Sequence, residues 1–303
     1  MLKLESIAAF SAIAEAGSIT GAARRLALSK SVVSERLTEL ERVVGTTLVH
    51  RTTRSLSLTD DGKTFHGRAK QILRDVEHAA SELNERRGTL TGPLRISAPV
   101  SFGTLHLGQA LFGFLARYPG IELTLELDDR FVDIHSEGYD AIVRHGPVDD
   151  DRIIAKRLSA SRRVLVASPD YLKRFGTPTS FQDLGQHRGI MYGNRGAADW
   201  RFRVGRKWEI ARPQVALRVN NGMLMRDAAA AGLGIALLAS FLLDNPLRRT
   251  LKVLDIGAEP EGATIYIAYP EHLRSSRKMH ALTAWLRKSI GEPSHWNGSS
   301  NPW

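Results

Sequence analysis

The sequence predicts an α/β chain in three parts: a small all-α head, one long helix, and a body in which strands and helices alternate. Three observations predict it. The first sixty residues carry apolar positions at helical steps, punctuated by glycine. Residues 60–87 hold one unbroken helical stripe. From Leu94 onward, short apolar runs of strand length alternate with amphipathic helical ones. At 303 residues the chain is comfortable for two domains.

Composition narrows the functional classes. The apolar fraction of 43% suffices for packed cores. The richest apolar run, Ala228 to Leu243, is broken by Gly232, Gly234 and Ser240. It reads as a buried helix followed by a strand and falls short of the roughly 18 apolar residues of a membrane helix. Glu5 follows Lys3 and no cleavage site comes after it, so no secretory signal is read and the cytoplasm is the expected location. The absence of cysteine removes disulfides, thiolate nucleophiles and Cys-ligated metal. The formal charge of +10 favours acidic partners. That charge is spread along the chain, but the stretch from Arg24 to Arg54 concentrates seven basic residues against three acidic ones.

In the head, the first helix carries Leu4, Ile7, Phe10, Ile13 and Ala14 at steps of three and four, and Gly17 ends it. Ser18 is an N-cap for a short second helix, Ile19 to Leu26, whose Ala22 and Ala23 allow close approach. After a tight turn at 27–29, Ser29 caps a third helix that buries Val33, Leu37, Leu40 and Val44 and stops at Gly45. Two short helices joined by a three-residue turn make a helix-turn-helix, and the second of such a pair enters the major groove of DNA. Its outer face offers Ser29, Lys30, Ser31, Ser34, Glu35 and Thr38, with Arg36 on the flank. Lysine suits guanine edges or phosphate, and serine donates to phosphate or accepts from bases. Leu48–Arg51 and Ser55–Leu58 read as two strands around Thr52, Thr53 and Arg54, a wing that would bring Arg51, Thr52 and Arg54 to the DNA backbone or a minor groove.

The run Phe10-x-x-Ile13-Ala14-Glu15-x-Gly17-Ser18-Ile19-Thr20-x-Ala22-Ala23-x-x-Leu26-x-x-Ser29-x-x-x-Val33-Ser34, then Leu40-Glu41-x-x-x-Gly45-x-x-Leu48, and Arg51-Thr52-x-Arg54-x-x-x-Leu58-Thr59-x-x-Gly62 resembles the LysR-type transcriptional regulators. The resemblance covers essentially 1–290 and is looser after 92. It implies a winged helix-turn-helix on a dimeric regulator with an effector-sensing C-terminal half. Lys30 stands where the family usually has Gln, and Val49 where it usually has Phe.

Thr59 is placed to cap the long helix, with Asp60 and Asp61 complementing its dipole. Phe65, Ala69, Ile72, Val76, Ala79 and Leu83 then follow at steps of 4, 3, 4, 3 and 4, a coiled-coil seam. With no core along its whole length, the seam predicts pairing with a second subunit, and so a homodimer or homotetramer on double-stranded DNA. Gly88 to Pro93 forms the hinge. The expected domains are 1–58, 59–91 and 92–303.

In the body, strands are expected at Leu94–Ala98, Glu122–Leu127, Asp140–Arg144, Arg163–Ala167, Ile190–Tyr192, Val215–Val219, Ile235–Leu238 and Thr264–Tyr269. Helices are expected at Phe102–Arg117, near Phe131–Glu137, at Met223–Ala231 and at Ser276–Ser289. Such sheets bind ligands beyond the strand C-termini, at helix N-termini. The resemblance implies two α/β lobes like those of a periplasmic binding protein, 92–160 with 266–303 and 161–265. A small-molecule effector is then expected against Val100, Ser101 and Phe102 from one lobe and Asn220 and Asn221 from the other. His145 would stand at the rim, and Asn194 and Arg195 would close the site. Helix N-termini favour anions, so a carboxylate is the expected group. Regulation through RNA polymerase is the expected outcome.

No G-x-S-x-G elbow, P-loop or H-E-x-x-H is present, and the ten histidines lack ligand spacing. Catalysis, a metal and a resident cofactor are therefore not expected. A solute-binding module without DNA is the alternative, and the N-terminal third argues against it. The tail from Glu292 to Trp303 reads as disordered, unless Trp296 or Trp303 docks in a neighbour's groove.

Overall fold

The computed structural model describes residues 1–51, 56–86, 89–146, 150, 152–193, 200–243 and 250–291, with backbone alone at 51, 81–82 and 84–86. Thr52, Arg54, Asn194, Arg195 and the tail from 292 lie outside the described residues. The chain divides into two compact units. The first holds Met1–Leu94, Gly120–Glu122 and Val132–Asp140; the second holds the remainder.

The first unit opens with α1 (Leu4–Ala16), α2 (Ile19–Arg25) and α3 (Lys30–Val44). Gly17 and Gly45 end α1 and α3 at φ +63 and +77, a conformation that glycine adopts without steric cost. Ser18 and Ser29 cap α2 and α3 as expected, their hydroxyls accepting from Gly21 N–H and Val32 N–H. Ile7, Phe10, Ile13, Ala22, Ala23, Val33, Leu37 and Leu40 form one buried cluster with Leu48 and Val49. Leu4 and Val44, assigned to the same faces from periodicity, are exposed and half-buried respectively. Strands β1 (Val49–Arg51) and β2 (Leu56–Leu58) pair antiparallel, Val49 opposite Leu58.

Helix α4 (Asp60–Arg86) is the long helix. Thr59 caps it, accepting from Gly62 N–H at 2.9 Å and donating to Thr47 O at 2.9 Å. The expected seam splits along its length. Ala69 is fully buried in the head core, and Phe65 packs on it with its ring 5.5 Å from that of Phe10. Ile72, Val76 and Leu83 are 38%, 46% and 61% exposed. Among the described residues it is the second half of the stripe that is left exposed, because the first turns of α4 complete the small head. Further along α4, His78 Nε2 lies 2.8 Å from the buried carboxylate of Asp140, beyond α7 (Ile134–Glu137).

Two five-stranded sheets make up the α/β body. The first runs β4 (Ile121–Leu127), β3 (Gly92–Ala98), β5 (Ala141–His145), β15 (Ala263–Pro270), β6 (Ile153–Ser161). β3 and β5 are parallel, while β15 runs antiparallel to both its neighbours. The second sheet runs β11 (Gln214–Val219), β8 (Arg188–Tyr192), β12 (Ile235–Ala239), β7 (Arg163–Ala167), β13 (Lys252–Leu254). The chain thus leaves the first sheet after Ser161 and rejoins it at Ala263, against the limits of 160 and 266 expected from the sequence. A third, small sheet joins β10 (Lys207–Ile210), β9 (Arg201–Val204) and β14 (Glu259–Pro260).

The helix expected from Phe102 begins two residues earlier. It runs as α5 (Val100–Phe102), a π-helical turn (Gly103–Leu107) and α6 (Gly108–Arg117). Helix α10 (Arg277–Ile290), capped by Ser276, buries Met279, Leu282 and Leu286. Its Trp285 donates to Ala110 O at 2.7 Å. Around the second sheet, α8 (Pro169–Phe175) and the β9–β10 hairpin enclose a core of Tyr171, Leu184, Trp200 and Phe202 with strand residues Leu165, Ile235 and Leu237. Helix α9 (Gly222–Ala230) precedes β12.

Candidate functional site

Helix α3 is amphipathic by position. Its Val33, Leu37 and Leu40 are buried, which leaves Ser29, Lys30, Ser31, Glu35 and Thr38 exposed and Ser34 and Arg36 half-buried. Several hydroxyls already have local bonds. Ser29 Oγ caps the helix and lies 2.8 Å from Ser31 Oγ, and Thr38 donates to Ser34 O at 3.0 Å. Ser31 keeps acceptor capacity whichever of the two serines donates, since a hydroxyl has two lone pairs. The turn before α3 passes through Ala27 at φ +52, where Leu28 N–H bonds Ala23 O at 3.0 Å.

The wing is fastened to this helix by a residue that face assignment alone passed over. Glu41 Oε1 accepts Leu48 N–H at 2.9 Å and Val49 N–H at 3.3 Å. The start of α4 is fastened in turn: Thr59 N–H bonds Leu48 O at 3.0 Å, and Thr46 donates to Asp61 at 2.8 Å. Glu41 and Thr59 thus tie α3, strand β1 and the start of the long helix together. Of the expected wing contacts, Arg51 lies on β1 opposite Leu56.

The second unit has a cavity of about 260 Å³. Of the expected effector residues, Ser101, Phe102 and His145 line it. Val100, Asn220 and Asn221 are not in its wall; Gly222, the next residue, is. Asn220 is exposed, whereas Val100 and Asn221 both serve Asp129. Val100 N–H donates to Asp129 Oδ1 at 3.0 Å, and Asn221 Nδ2 donates to Oδ2 at 3.1 Å. An internal carboxylate thus occupies the position at the helix N-terminus where an effector anion was expected. Burial pushes the Asp129 carboxyl above its usual range, against the pull of the Val100 N–H and the Asn221 amide.

The rest of the wall mixes charge and apolar surface. Arg130, Arg144 and Arg163 stand with Asp128 and Asp129 among Phe131, Tyr192, Met225, Leu237, Leu238, Phe241, Leu242 and Ile265. Arg130 Nε pairs with Asp128 at 2.6 Å, and Arg144 donates to Ser97 Oγ at 2.9 Å. Phe241 gathers Phe102, His106 and His145 edge-on at ring distances of 5.3, 5.6 and 5.9 Å. Ser101 is only 5% exposed, and among the described residues its hydroxyl has no hydrogen-bond partner.

The N-terminal residues 4–63 match the bacterial regulatory helix-turn-helix proteins of the lysR family, and residues 87–291 match the LysR substrate binding domain. The chain belongs to the LysR family. It is 34% identical over 293 residues to the uncharacterized HTH-type transcriptional regulator YhjC of Escherichia coli K12, covering 94% of this chain and 97% of that one. It is 33% identical to the HTH-type transcriptional regulator PtxR of Pseudomonas aeruginosa, covering 96% and 94%. Among solved structures it resembles CrgA, a LysR-type transcriptional regulator from Neisseria meningitidis, with TM-score 0.61 and 27% identity over 95% of this chain and 98% of that one.

This LysR-type regulator therefore combines a helix-turn-helix DNA-binding domain with an effector-binding domain, as the resemblance implied. Among the described residues no helix is long and apolar enough to cross a membrane. Sequence reading missed Asp129 and the three wall arginines, although a signal for each was present. Asp128, Asp129 and Arg130 follow the C-terminal end of β4, where ligands of such sheets gather. Arg144 stands beside His145, and the histidine alone was chosen. Arg163 opens β7 just after the chain crosses between sheets.

Proposed function

We propose that this LysR-type regulator reads its operator with Ser29, Lys30, Ser31, Ser34, Arg36 and Thr38 of α3 in the major groove. Arg51, Thr52 and Arg54 of the wing would meet the DNA backbone. One observation carries this reading: the first turns of α3 keep their polar side chains outward while Val33 and Leu37 on the same turns are buried. The functional domains are then 1–58 for DNA, 59–91 for dimerisation and 92–303 for the effector. The cavity of the second unit is the effector site, and it acts by binding one assembly state better than another.

Ile72, Val76 and Leu83 supply the apolar stripe for a second chain, giving a dimer and, through a pair of dimers, a tetramer. On DNA this assembly contacts RNA polymerase in the cytoplasm. Its role is regulation, with no catalytic step assigned. Fluorescence anisotropy on upstream DNA tests the reading. The combined variant Lys30→Ala, Ser31→Ala, Ser34→Ala should bind far more weakly while its circular dichroism stays native. Undiminished affinity in that folded variant would end the proposal. Binding should also weaken steeply with added salt, since phosphate contacts release counterions.

A further inference from the structure

The small third sheet ends on an exposed strand. Strand β10 lies at the edge of the order β10-β9-β14, and all four of its residues, Lys207, Trp208, Glu209 and Ile210, are exposed. An open edge invites pairing with a further strand. Register sets what this edge offers. Val204 and Lys207 flank a two-residue turn, and in such hairpins the flanking pair exchanges its backbone hydrogen bonds. Alternation then turns the N–H and C=O of Lys207 and Glu209 toward β9 and those of Trp208 and Ile210 outward. The far side of β9 follows the same alternation, for Arg201 O accepts Glu261 N–H at 2.8 Å.

The side chains of β10 divide by face. Trp208 and Ile210 share one face with Arg203 and Arg201, their partners on β9, and the Arg201 guanidinium lies 5.2 Å from the Trp208 ring centroid. Trp208 nevertheless stays 46% exposed. Tryptophan and arginine are the residues that most often dominate binding energy between proteins. Lys207 and Glu209 share the opposite face, and among the described residues neither has an ion pair. Pairing with a second β10 about a two-fold axis uses both faces. Two antiparallel registers engage three residues of β10 each and keep the faces aligned. One centres on Glu209 and sets that carboxylate directly opposite its own copy, which is unfavourable. The other centres on Trp208. It sets Lys207 opposite Glu209 of the second copy and Glu209 opposite its Lys207, two opposite-charge pairs at the closer, non-hydrogen-bonded spacing. The outward N–H and C=O of Trp208 then bond those of its own copy, with the two rings side by side on the other face. Charge thus selects one register.

We infer that β10 is a docking edge for a second copy of this chain, paired antiparallel with the copy's β10 in the register centred on Trp208. This contact is separate from the stripe of α4 and does not rest on it.

Sedimentation of the full-length protein over a concentration series tests it. Trp208→Ala should weaken one association step roughly tenfold or more, as loss of a central aromatic does. Lys207→Glu should weaken the same step roughly tenfold, because both cross-strand pairs turn from attraction to repulsion. Adding Glu209→Lys to Lys207→Glu should restore it, since the exchanged charges attract again. All three positions are exposed, and native circular dichroism checks that each variant folds. The chain has no cysteine, so single-cysteine variants report the register. Under mild oxidation at high protein concentration Trp208→Cys should form a disulfide-linked pair, because position 208 faces its own copy at a separation a disulfide can span. Glu209→Cys should not. Association unchanged in Lys207→Glu overturns the inference, as does a double variant no stronger than the single one. Linking through position 209 in preference to 208 also overturns it, since that is the register with like charges opposed.

Discussion

Asn221 bonds in two directions: its Oδ1 accepts Leu224 N–H at 3.0 Å as the cap of α9, and its Nδ2 donates to Asp129 Oδ2 at 3.1 Å. The two bonds are separable by substitution. Asn221→Ala loses both and should cost about 0.5–2 kcal/mol for the cap alone, with a further loss for the amide left off Asp129. Asn221→Ser keeps a capping oxygen and loses only the bond to Asp129, so it should be the milder change. Urea denaturation of the three proteins gives the comparison. Equal losses in the Ala and Ser variants would show that the cap contributes nothing.

Asp129 itself should leave a signature in the pH dependence of stability. Burial raises its folded-state pKa above the ordinary value, more than the Val100 and Asn221 bonds lower it. The native state therefore holds the proton more tightly than the unfolded chain does. As pH rises from the ordinary Asp value of about 3.9 through the raised folded value, this residue lowers the unfolding free energy, and above that the penalty is constant. Asp129→Asn removes the penalty. The stability difference, variant minus wild type, should grow in favour of Asn across acid pH and then level off. Urea melts from pH 3.5 to 7 read it directly. A flat difference would mean that the half-buried carboxyl titrates as an exposed one.

The head was legible because its signals are local. Ser18, Ser29, Gly17, Gly45 and Thr59 each act within one turn, and all five perform the capping or stopping role their residue type implies. The body was legible where strands carry a plain apolar run, as in Arg163–Ala167 and Ile235–Ala239. It was opaque where the run is broken. The nine-residue β6 has three exposed residues in a row, Ala155 to Arg157, and its pairing with β15 shifts register between Ile265 and Tyr266. The β9–β10 hairpin is rich in charge, and its signal is a lone Gly205 at φ +60 in a two-residue turn. The cavity was half legible for another reason. Helix N-termini are visible in sequence, but the chain's own Asp129 reaching across to them is a tertiary fact.

Gly62 shows a local motif with a tertiary cause. It lies in the first turn of α4, and a Cβ there would overlap the backbone carbonyl oxygen of Leu48. That oxygen accepts Thr59 N–H at 3.0 Å and so has no freedom to move away. Gly62→Ala should therefore destabilise the protein by about 1–3 kcal/mol, the scale of overpacking a filled site, and loosen the wing from the long helix. DNA affinity should fall in parallel. Gly185→Ala is the control, because nothing lies within 4 Å of a Cβ there. It should stay within about 0.5 kcal/mol of the parent, as open sites do. Equal melts for the two variants would contradict this packing.

The core around the second sheet should weaken in mild acid through His187. Burial pushes its imidazole below the ordinary range, against a smaller upward pull from Asp183. Tyr171 explains how the neutral ring is accommodated. Its hydroxyl accepts Arg188 N–H at 2.9 Å and lies 3.1 Å from His187 Nδ1, so its own proton is placed to be given to that nitrogen. With the folded pKa depressed, the unfolded chain takes up the proton first. The stabilisation is complete above the ordinary His value of about 6.5 and is lost as pH falls below it toward the folded value. Denaturant melts from pH 7.5 to 5 should show the decline, and His187→Gln should flatten it. Tyr171→Phe should lose about 1–3 kcal/mol at pH 7.5, since it leaves a buried imidazole nitrogen and an amide N–H without their shared partner. A decline of the same steepness in His187→Gln would assign the acid sensitivity to another group.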